Sequence, residues 1–294
     1  MLLAIRGDLV RVSLRKAMVS KINQKVIIEP RRGWQLLDWK ELREYRDLIY
    51  FLVSRDVKVL YKQTVLGFAW ALIRPLFSMI IFSVVFGRLA RVPSDGIPYP
   101  IFSYAALLPW SYFSSSLAGA TDSLVSSSTV LTKVYFPRLV IPLTPILAKV
   151  VDFGIAFLIL GGMMAWYRIS PSPKLLFLPL LISLMVLTAS GLGAWLSAMA
   201  IQYRDVKHAS EFALQLLMYA APVVWPVSLI PHKYRLVYGL YPMAGVIEGF
   251  RAALIGSKPM PWDLILMGSL SALAIAFTGS MYFRRMERVF ADVA

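Results

Sequence analysis

The sequence predicts an all-α integral membrane protein with six transmembrane helices, and three observations lead to this fold class. The 294-residue chain is 58% hydrophobic and only 16% charged, whereas soluble domains carry about 25% charged residues. Six apolar stretches are long enough to cross a bilayer, which takes about 20 helical residues. A basic, two-faced stretch precedes the first of them. We therefore predict an N-terminal amphipathic interfacial helix that leads into a membrane domain.

The positive charge of the chain is concentrated before the first span. The formal net charge is +15, and 14 of the 31 lysine and arginine residues precede Gly67. Nucleic acid can attract such a segment, but beside apolar spans the anionic headgroups of membrane lipids are the simpler partner. We therefore expect contact with lipids and no nucleic acid. Because the chain has no cysteine, disulfides, iron–sulfur centres and thiol nucleophiles are excluded.

The region before the spans divides into two parts. Residues 1–33 alternate short apolar runs with basic residues, and we interpret them as a basic cytosolic extension. Residues 34–65 are predicted to form the amphipathic interfacial segment, because apolar residues recur along one helical face while Arg55, Lys58 and Lys62 lie on other faces. The apolar face of its second half comprises Val57, Leu60, Tyr61, Thr64 and Val65.

The membrane domain is placed at residues 66–283. Its six predicted spans are 66–87, 100–124, 139–166, 175–201, 211–230 and 262–283. The second span is the least apolar, because serine, threonine and aspartate residues dilute it. Residues 231–261 are too polar for a full span and contain glycine and proline, so we predict a re-entrant or outer helical hairpin between spans five and six. Residues 284–294 are expected to be a cytosolic tail.

Basic residues in the loops predict the orientation. With the N-terminus inside, the cytosolic segments hold 21 lysine and arginine residues and the outer loops hold eight. An excess of basic residues marks the cytosolic side, so both termini are expected to be cytosolic. Glycine-rich stretches at Gly161-Gly162 and between Ser190 and Ala194 predict places where helices approach closely.

Catalytic chemistry finds little support in the sequence. There is no G-x-x-x-x-G-K-[ST] motif, so the chain has no P-loop of its own, and we predict no catalytic, cofactor-binding or metal residues. His208 and His232 are predicted on opposite sides of the membrane. A membrane-embedded glycosyl- or acyltransferase is the alternative, and it would need outward-facing carboxylates such as Asp95, Glu248 and Asp263. Asp95 lies within VPSDGIPYP and is typical of a turn residue.

Charged residues inside the predicted spans leave two alternatives open. Arg74 could face a polar conduit and meet an anionic phosphate, or it could extend to the cytosolic headgroups beside the Pro75 bend. Lys149 and Asp152 are three residues apart and can pair on one helical face. We interpret them as a structural ion pair rather than a proton relay.

Aromatic residues in the spans are typical of lipid-facing packing. Some could instead line a conduit, where sugar rings would slide along the flat faces of the aromatic rings. The conduit candidates, with the arginine among them, are Trp70, Arg74, Phe77, Trp110, Tyr112, Phe113 and Trp225. Two cytosolic loops, SSSTVLTKVYFPRLVIP and QYRDVKHASEF, could be docking elements or solvated connections.

Several short motifs occur in an order and spacing that together resemble a known family. They are Arg55-Asp56 with Lys58 and Tyr61, Thr64-x-Leu66-Gly67-x-x-Trp70, Pro75, Leu108-Pro109-Trp110, Phe113-Ser114, Thr132-Lys133-Val134, Phe136-Pro137-Arg138, Pro142, Arg204-Asp205-Val206, Pro242-Met243 and Arg251. Over roughly residues 27–290, the chain resembles the membrane subunit of bacterial type-2 ABC exporters for polysaccharides such as O-antigen, capsule or teichoic acid. Tyr241 stands where this family often has asparagine, and Arg74 where it does not reliably carry a charge.

The resemblance implies a homodimer of six-span subunits in the bacterial inner membrane, around a conduit for a lipid-linked polysaccharide. It also implies two copies of a separate ABC ATPase subunit, which would bind the ATP and magnesium, so that this chain needs no cofactor. The ATPase-coupling residues would be Thr132, Lys133, Val134, Tyr135, Phe136, Pro137 and Arg138. The interfacial and gate residues would be Arg55, Lys58, Tyr61, Lys62, Arg204 and Asp205. An ABC exporter of drugs or small lipids shares this architecture and stays open as a further alternative.

Overall fold

The computed structural model describes residues 43–62, 69–127, 136–170, 172–256, 258–287 and 290. Within these residues every regular element is helical and there is no β-strand, which confirms the all-α prediction. The helices are α1 (Arg46–Lys62), α2 (Ala69–Phe82), α3 (Tyr99–Ser126), α4 (Val140–Trp166), α5 (Leu178–Ala200), α6 (Val206–Ala220), α7 (His232–Gly239), α8 (Pro242–Leu254) and α9 (Trp262–Glu287). A π-helical stretch, Ser83–Leu89, continues α2, and short 3₁₀ turns occupy Pro173–Phe177 and Val227–Leu229.

Four helical segments of the described chain are both long enough and apolar enough to cross a membrane. They are Leu72–Leu89, Val140–Trp166, Pro173–Ala200 and Trp262–Glu287. These segments correspond to the predicted first, third, fourth and sixth spans. The chain is therefore a multi-pass membrane protein.

The second and fifth predicted spans differ from these four. The second corresponds to α3, which has 28 residues but is too polar to qualify by composition. The fifth was predicted at 211–230, yet α6 ends at Ala220 after 15 residues, about 22 Å at 1.5 Å per residue. The helix stops because Ala221 precedes Pro222 and takes an extended backbone, with φ −72° and ψ 148°. The six-span count thus stays a prediction.

The least apolar of the predicted spans, α3, lies at the centre of the helix packing. It contacts α2, α4, α5, α6 and α8, and every residue from 101 to 110 is buried. Several of its serine and threonine hydroxyl groups donate within their own helix, as Thr121 does to the Leu117 carbonyl at 2.8 Å and Ser115 to the Ser111 carbonyl at 2.7 Å. Such internal hydrogen bonds let polar side chains sit among apolar neighbours.

The helix α8, which is the second half of the predicted hairpin, is enclosed by other helices. All 13 of its residues are buried, and it packs against α3, α5 and α9. A Cβ atom on Gly245 would lie 2.7 Å from the Leu264 carbonyl oxygen, so α8 and α9 approach backbone to backbone. Protein therefore surrounds this element, as required for a non-spanning helix at membrane depth. Its depth relative to the bilayer stays a prediction.

The two glycine-rich stretches have different surroundings. A Cβ atom on Gly191 would lie 2.7 Å from the Cα atom of Ala276, so α5 and α9 pack closely there, as predicted. At Gly161 and Gly162 a Cβ atom would meet nothing within 4 Å. The prediction of close approach is therefore wrong for this pair within the described chain.

Candidate functional site

One end of the helix bundle gathers elements that the predicted topology places on the cytosolic side. A hydrophobic cluster, called here the end cluster, joins α1 to the C-terminal ends of α3, α5 and α9 and to the start of α4. Its buried members are Leu124, Phe136, Ile141, Ala194, Ala198, Phe283 and Phe290, with Tyr45 and Leu48 packed against them. The predicted interfacial helix and the predicted coupling segment thus meet in one packed cluster.

The predicted coupling residues are only partly described. Thr132, Lys133, Val134 and Tyr135 lie outside the described residues. Phe136 is buried in the end cluster, and Pro137 is half-buried.

Arg138 contacts the C-terminal end of α9. Its Nη1 donates to the Glu287 carbonyl oxygen at 2.6 Å, and its guanidinium carbon lies 5.9 Å from the centroid of the Phe290 ring. The last carbonyl groups of a helix carry partial negative charge, which a cation stabilises. Arg138 therefore links the predicted coupling segment to α9.

The predicted gate residues on α1 are exposed. Arg55, Lys58 and Lys62 lie on its surface, and an Arg55 Nη2 atom lies 2.8 Å from a carboxylate oxygen of Asp56. The backbone of Tyr61 belongs to α1, while its side chain lies outside the described residues. The structure therefore gives this face of α1 a mixed, largely basic surface.

The remaining gate candidates, Arg204 and Asp205, are exposed in the turn before α6. Two residues after Asp205, Lys207 donates to a carboxylate oxygen of Asp122 at 2.8 Å. This hydrogen bond and the charge of Asp122 raise the pKa of Lys207. The pair connects the end of α3 to the start of α6.

A cleft of about 210 Å³ lies between α1, the C-terminal end of α3 and the start of α4. It is lined by Leu52, Arg55, Asp56, Gly119, Ser123, Ser126, Ser127, Phe136, Ile141, Thr144 and Pro145. Ligand pockets usually span about 300–1,000 Å³, so the cleft is small for a ligand site. Both the predicted gate residue Arg55 and the predicted coupling residue Phe136 line this cleft.

The conduit candidates on α2 are exposed on the surface of the chain. The side chain of Phe77 is 61% exposed and that of Trp70 44%. The guanidinium carbon of Arg74 lies 5.7 Å from the centroid of the Trp70 ring, within range of a cation–π contact. These three residues are available to a partner, to lipid or to a substrate.

The conduit candidates on α3 are packed inside the chain. Trp110, Tyr112 and Phe113 are buried, and the Tyr112 hydroxyl donates to the Ile146 carbonyl at 3.0 Å. A sugar ring would reach them only if α3 separated from its neighbours.

The last conduit candidate, Trp225, lies in the loop after α6. It is half-buried, its Nε1 donates to the Tyr219 carbonyl at 3.2 Å, and its ring lies 5.7 Å from that of Tyr238. Trp225 therefore holds this loop against α7.

A buried ion pair in α8, between Glu248 and Arg251, is not predicted by the sequence. The Arg251 Nη1 lies 3.3 Å from Glu248 Oε2, its Nε donates to the Phe102 carbonyl at 3.2 Å, and its Nη2 donates to the Val223 carbonyl at 2.8 Å. The i, i+3 spacing of Glu248 and Arg251 was the available signal. Only the structure shows that both side chains are buried.

The carboxylates that a transferase would use are each held by a basic residue. Glu248 faces Arg251, and Asp263 pairs with Arg235 at 2.5 Å. Asp95 pairs with Lys258 and sits in a turn at φ +54°, which confirms the turn interpretation. Among the described residues no group of three acidic or histidine side chains could hold a metal ion.

The predicted pairing of Lys149 with Asp152 is confirmed. The Lys149 Nζ donates to an Asp152 carboxylate oxygen at 2.7 Å on α4, and both side chains are about a quarter exposed. The pair keeps both charges satisfied on a mostly apolar helix.

Comparison with known proteins decides the family. The profile of the ABC-2 type transporter family matches residues 47–255. The chain belongs to this family. The matched ABC-2 region begins one residue into α1 and ends just after α8. It thus covers nearly all of the predicted interfacial helix α1, the end of α3 that faces the cleft and the buried Glu248–Arg251 pair.

Curated ABC-2 relatives match most of the chain. The chain is 27% identical over 252 residues to the O-antigen export system permease protein RfbA of Myxococcus xanthus, covering 84% of this chain and 96% of that protein. It is 24% identical to an RfbA protein of Klebsiella pneumoniae, covering 84% and 95%. It is 22% identical to the polysialic acid transport protein KpsM of Escherichia coli, covering 80% and 92%.

Proposed function

We propose that the chain is the permease subunit of an ATP-driven ABC transporter that exports a lipid-linked polysaccharide across the bacterial inner membrane. One observation carries the proposal: relatives matched along 92–96% of their own length are named for O-antigen export or polysialic acid transport. A match over nearly the whole length supports a shared activity more strongly than a match to one segment.

In this proposal the chain supplies a path and a coupling surface, and a separate ATPase supplies the energy. The sequence has no P-loop, so two copies of a partner subunit would bind ATP and magnesium. Nucleotide-driven closure of that partner must favour one of two helix arrangements, because a ligand shifts an equilibrium only through differential contacts. We assign this coupling to the end cluster, which contains Phe136, together with the neighbouring Arg138.

Two copies of the chain would enclose the conduit. The exposed aromatic residues Trp70 and Phe77 of α2 support this arrangement, because they are free to line a conduit between two subunits. Arg74 on the same helix costs about 2.5–3.5 kcal/mol or more when it faces hydrocarbon at the bilayer centre. A homodimer conduit or a headgroup layer removes that cost.

The orientation and span count complete the proposal. We assign six spans, with α3 and α6 crossing as part of the assembled bundle, and both termini in the cytosol. The end cluster supports this assignment. A chain that crosses the membrane six times from a cytosolic N-terminus would place α1, the C-terminal ends of α3, α5 and α9 and the start of α4 on the cytosolic side. The Lys258–Asp95 pair and the Ser228–Asp95 hydrogen bond of 2.9 Å join loops predicted on the other side.

Co-purification and deletion test the proposed function. The chain is expected to co-purify with the ABC ATPase encoded beside it, and its deletion is expected to abolish surface polysaccharide while the glycan accumulates inside the cell. Absence of a complex together with unchanged surface polysaccharide would contradict the proposal. Loss of small-lipid or drug efflux with normal polysaccharide would favour the alternative ABC exporter instead.

A further inference from the structure

The C-terminal end of α9 is fastened to the segment that precedes α4. The Arg138 guanidinium caps it, with Nη1 at 2.6 Å from the Glu287 carbonyl and the guanidinium carbon 5.9 Å from the Phe290 ring centroid. A charge-assisted hydrogen bond to a helix C-terminus is directional and strong. The two elements therefore move together as long as this contact holds.

Phe290 reinforces the contact from the other side. It is only 1% exposed, and its ring lies 5.3 Å from that of Phe283 in an edge-to-face arrangement. The two phenylalanines are seven residues apart, the spacing that places side chains on one helical face. Both belong to the end cluster with Phe136, so Phe290 joins the predicted coupling segment to the body of α9.

The other end of α9 holds the predicted outer hairpin. Arg235 on α7 pairs with Asp263 in the first turn of α9 at 2.5 Å. A Cβ atom on Gly268 would lie 3.2 Å from the Cα atom of Pro242, the first residue of α8. At 26 residues, α9 is about 39 Å long. A single helix thus contacts the coupling segment at one end and both helices of the hairpin at the other.

We propose that Arg138 and Phe290 are positioning residues that transmit movement of the coupling segment through α9 to the outer hairpin. This inference rests on the proposed function. It assigns a role to Phe290, which follows the end of α9. Because α9 packs closely on α5 at Gly191, the movement is a rigid-body shift of this helix pair, since close-packed helices do not deform gradually.

Glycan exported per ATP hydrolysed, measured with the full-length permease assembled with its ATPase, tests the proposal. Phe290→Ala is expected to lower this ratio about fivefold or more, the scale of a typical coupling free energy, while the complex assembles and hydrolyses ATP. Arg138→Ala is expected to act in the same direction. Phe290→Leu and Arg138→Lys, which keep the apolar volume and the charge, are expected to restore most of the ratio.

Phe277→Ala is the matched control, because this phenylalanine lies on the same helix with its side chain 54% exposed. It is expected to leave the ratio unchanged. A ratio in Phe290→Ala and Arg138→Ala equal to that of Phe277→Ala overturns the transmission role while the export function stands. Absence of export by the unmodified complex overturns the proposed function itself. This result is distinguishable from failure of the transmission role, because it is measured on the unmodified complex alone.

Discussion

The guanidinium carbon of Arg251 lies 3.6 Å from the centroid of the Phe102 ring, although the two residues belong to α8 and α3 and are far apart in sequence. This contact, together with three hydrogen-bonding partners, satisfies a buried cation in a largely apolar bundle. It ties α8 to the central helix and to the loop after α6. Arg251 therefore contributes to holding α8 against its neighbours.

Replacing this cation alone is expected to be costly. Arg251→Leu leaves the Glu248 carboxylate buried without its partner, which is expected to cost about 3–5 kcal/mol. Thermal unfolding of the purified protein in detergent measures the loss. The double variant Arg251→Leu with Glu248→Leu is expected to recover much of the stability, because no buried charge remains. Equal melting temperatures for the single and double variants would argue against a buried, mutually dependent pair.

Close packing of α5 on α9 leads to a second prediction. Gly191→Ala places a Cβ atom 2.7 Å from the Ala276 Cα atom, and relieving such a clash is expected to cost about 1–3 kcal/mol. Gly161→Ala is the control, because nothing lies within 4 Å of its Cβ position. It is expected to be neutral or slightly stabilising. Comparable destabilisation in both variants would contradict the close approach of α5 and α9 at Gly191.

The conduit candidates are separable by thiol labelling, because the natural chain has no cysteine. Phe77→Cys is expected to react with a water-soluble maleimide in membranes if α2 borders an aqueous conduit, since the Phe77 side chain is 61% exposed. Tyr112→Cys is expected to stay protected, because Tyr112 is buried. Labelling is read by mass shift on a gel. Protection at residue 77 would place this face of α2 against lipid or a second subunit.

Substitution of Asp95 tests whether the protein is a transporter or a transferase. Asp95→Asn keeps the left-handed turn, which asparagine tolerates, but removes the charge that pairs with Lys258. Partly exposed ion pairs contribute about 0–1 kcal/mol, so surface polysaccharide is expected to stay near its normal level. A catalytic carboxylate would behave differently: polysaccharide synthesis would stop while the protein remained folded. Quantitative staining of surface glycan, with immunoblotting for protein level, separates the two results.

The four strongly apolar spans were predictable because each is a continuous run of apolar residues. The end of α6 at Ala220 was not predicted, since the apolar run continues through Val223 and Val224 while the backbone is stopped by Pro222. Hydropathy measures composition, whereas helix termination depends on backbone sterics. The Lys149–Asp152 pair was predictable because both partners lie on one helix.

The environment of the candidate site was less accessible from sequence. Arg138 was expected at an ATPase surface, yet its hydrogen-bonding partner is the Glu287 carbonyl, a contact across 149 residues of sequence that no local pattern encodes. The burial of Tyr112 and of Arg251 likewise depends on which helices surround α3. Sequence indicated which residues are chemically unusual, and the structure showed their neighbours.

The central position of α3 has a consequence for biogenesis. A segment this polar partitions poorly into lipid by itself, since insertion free energy sums over side chains, yet its buried surface matches α4 and α5, which are synthesised later. Its integration is therefore expected to wait for these downstream helices, which offer it a proteinaceous environment instead of hydrocarbon. Chain truncation before α4 would then leave α3 outside the bilayer, so the least apolar of the predicted spans sets the order in which the bundle assembles.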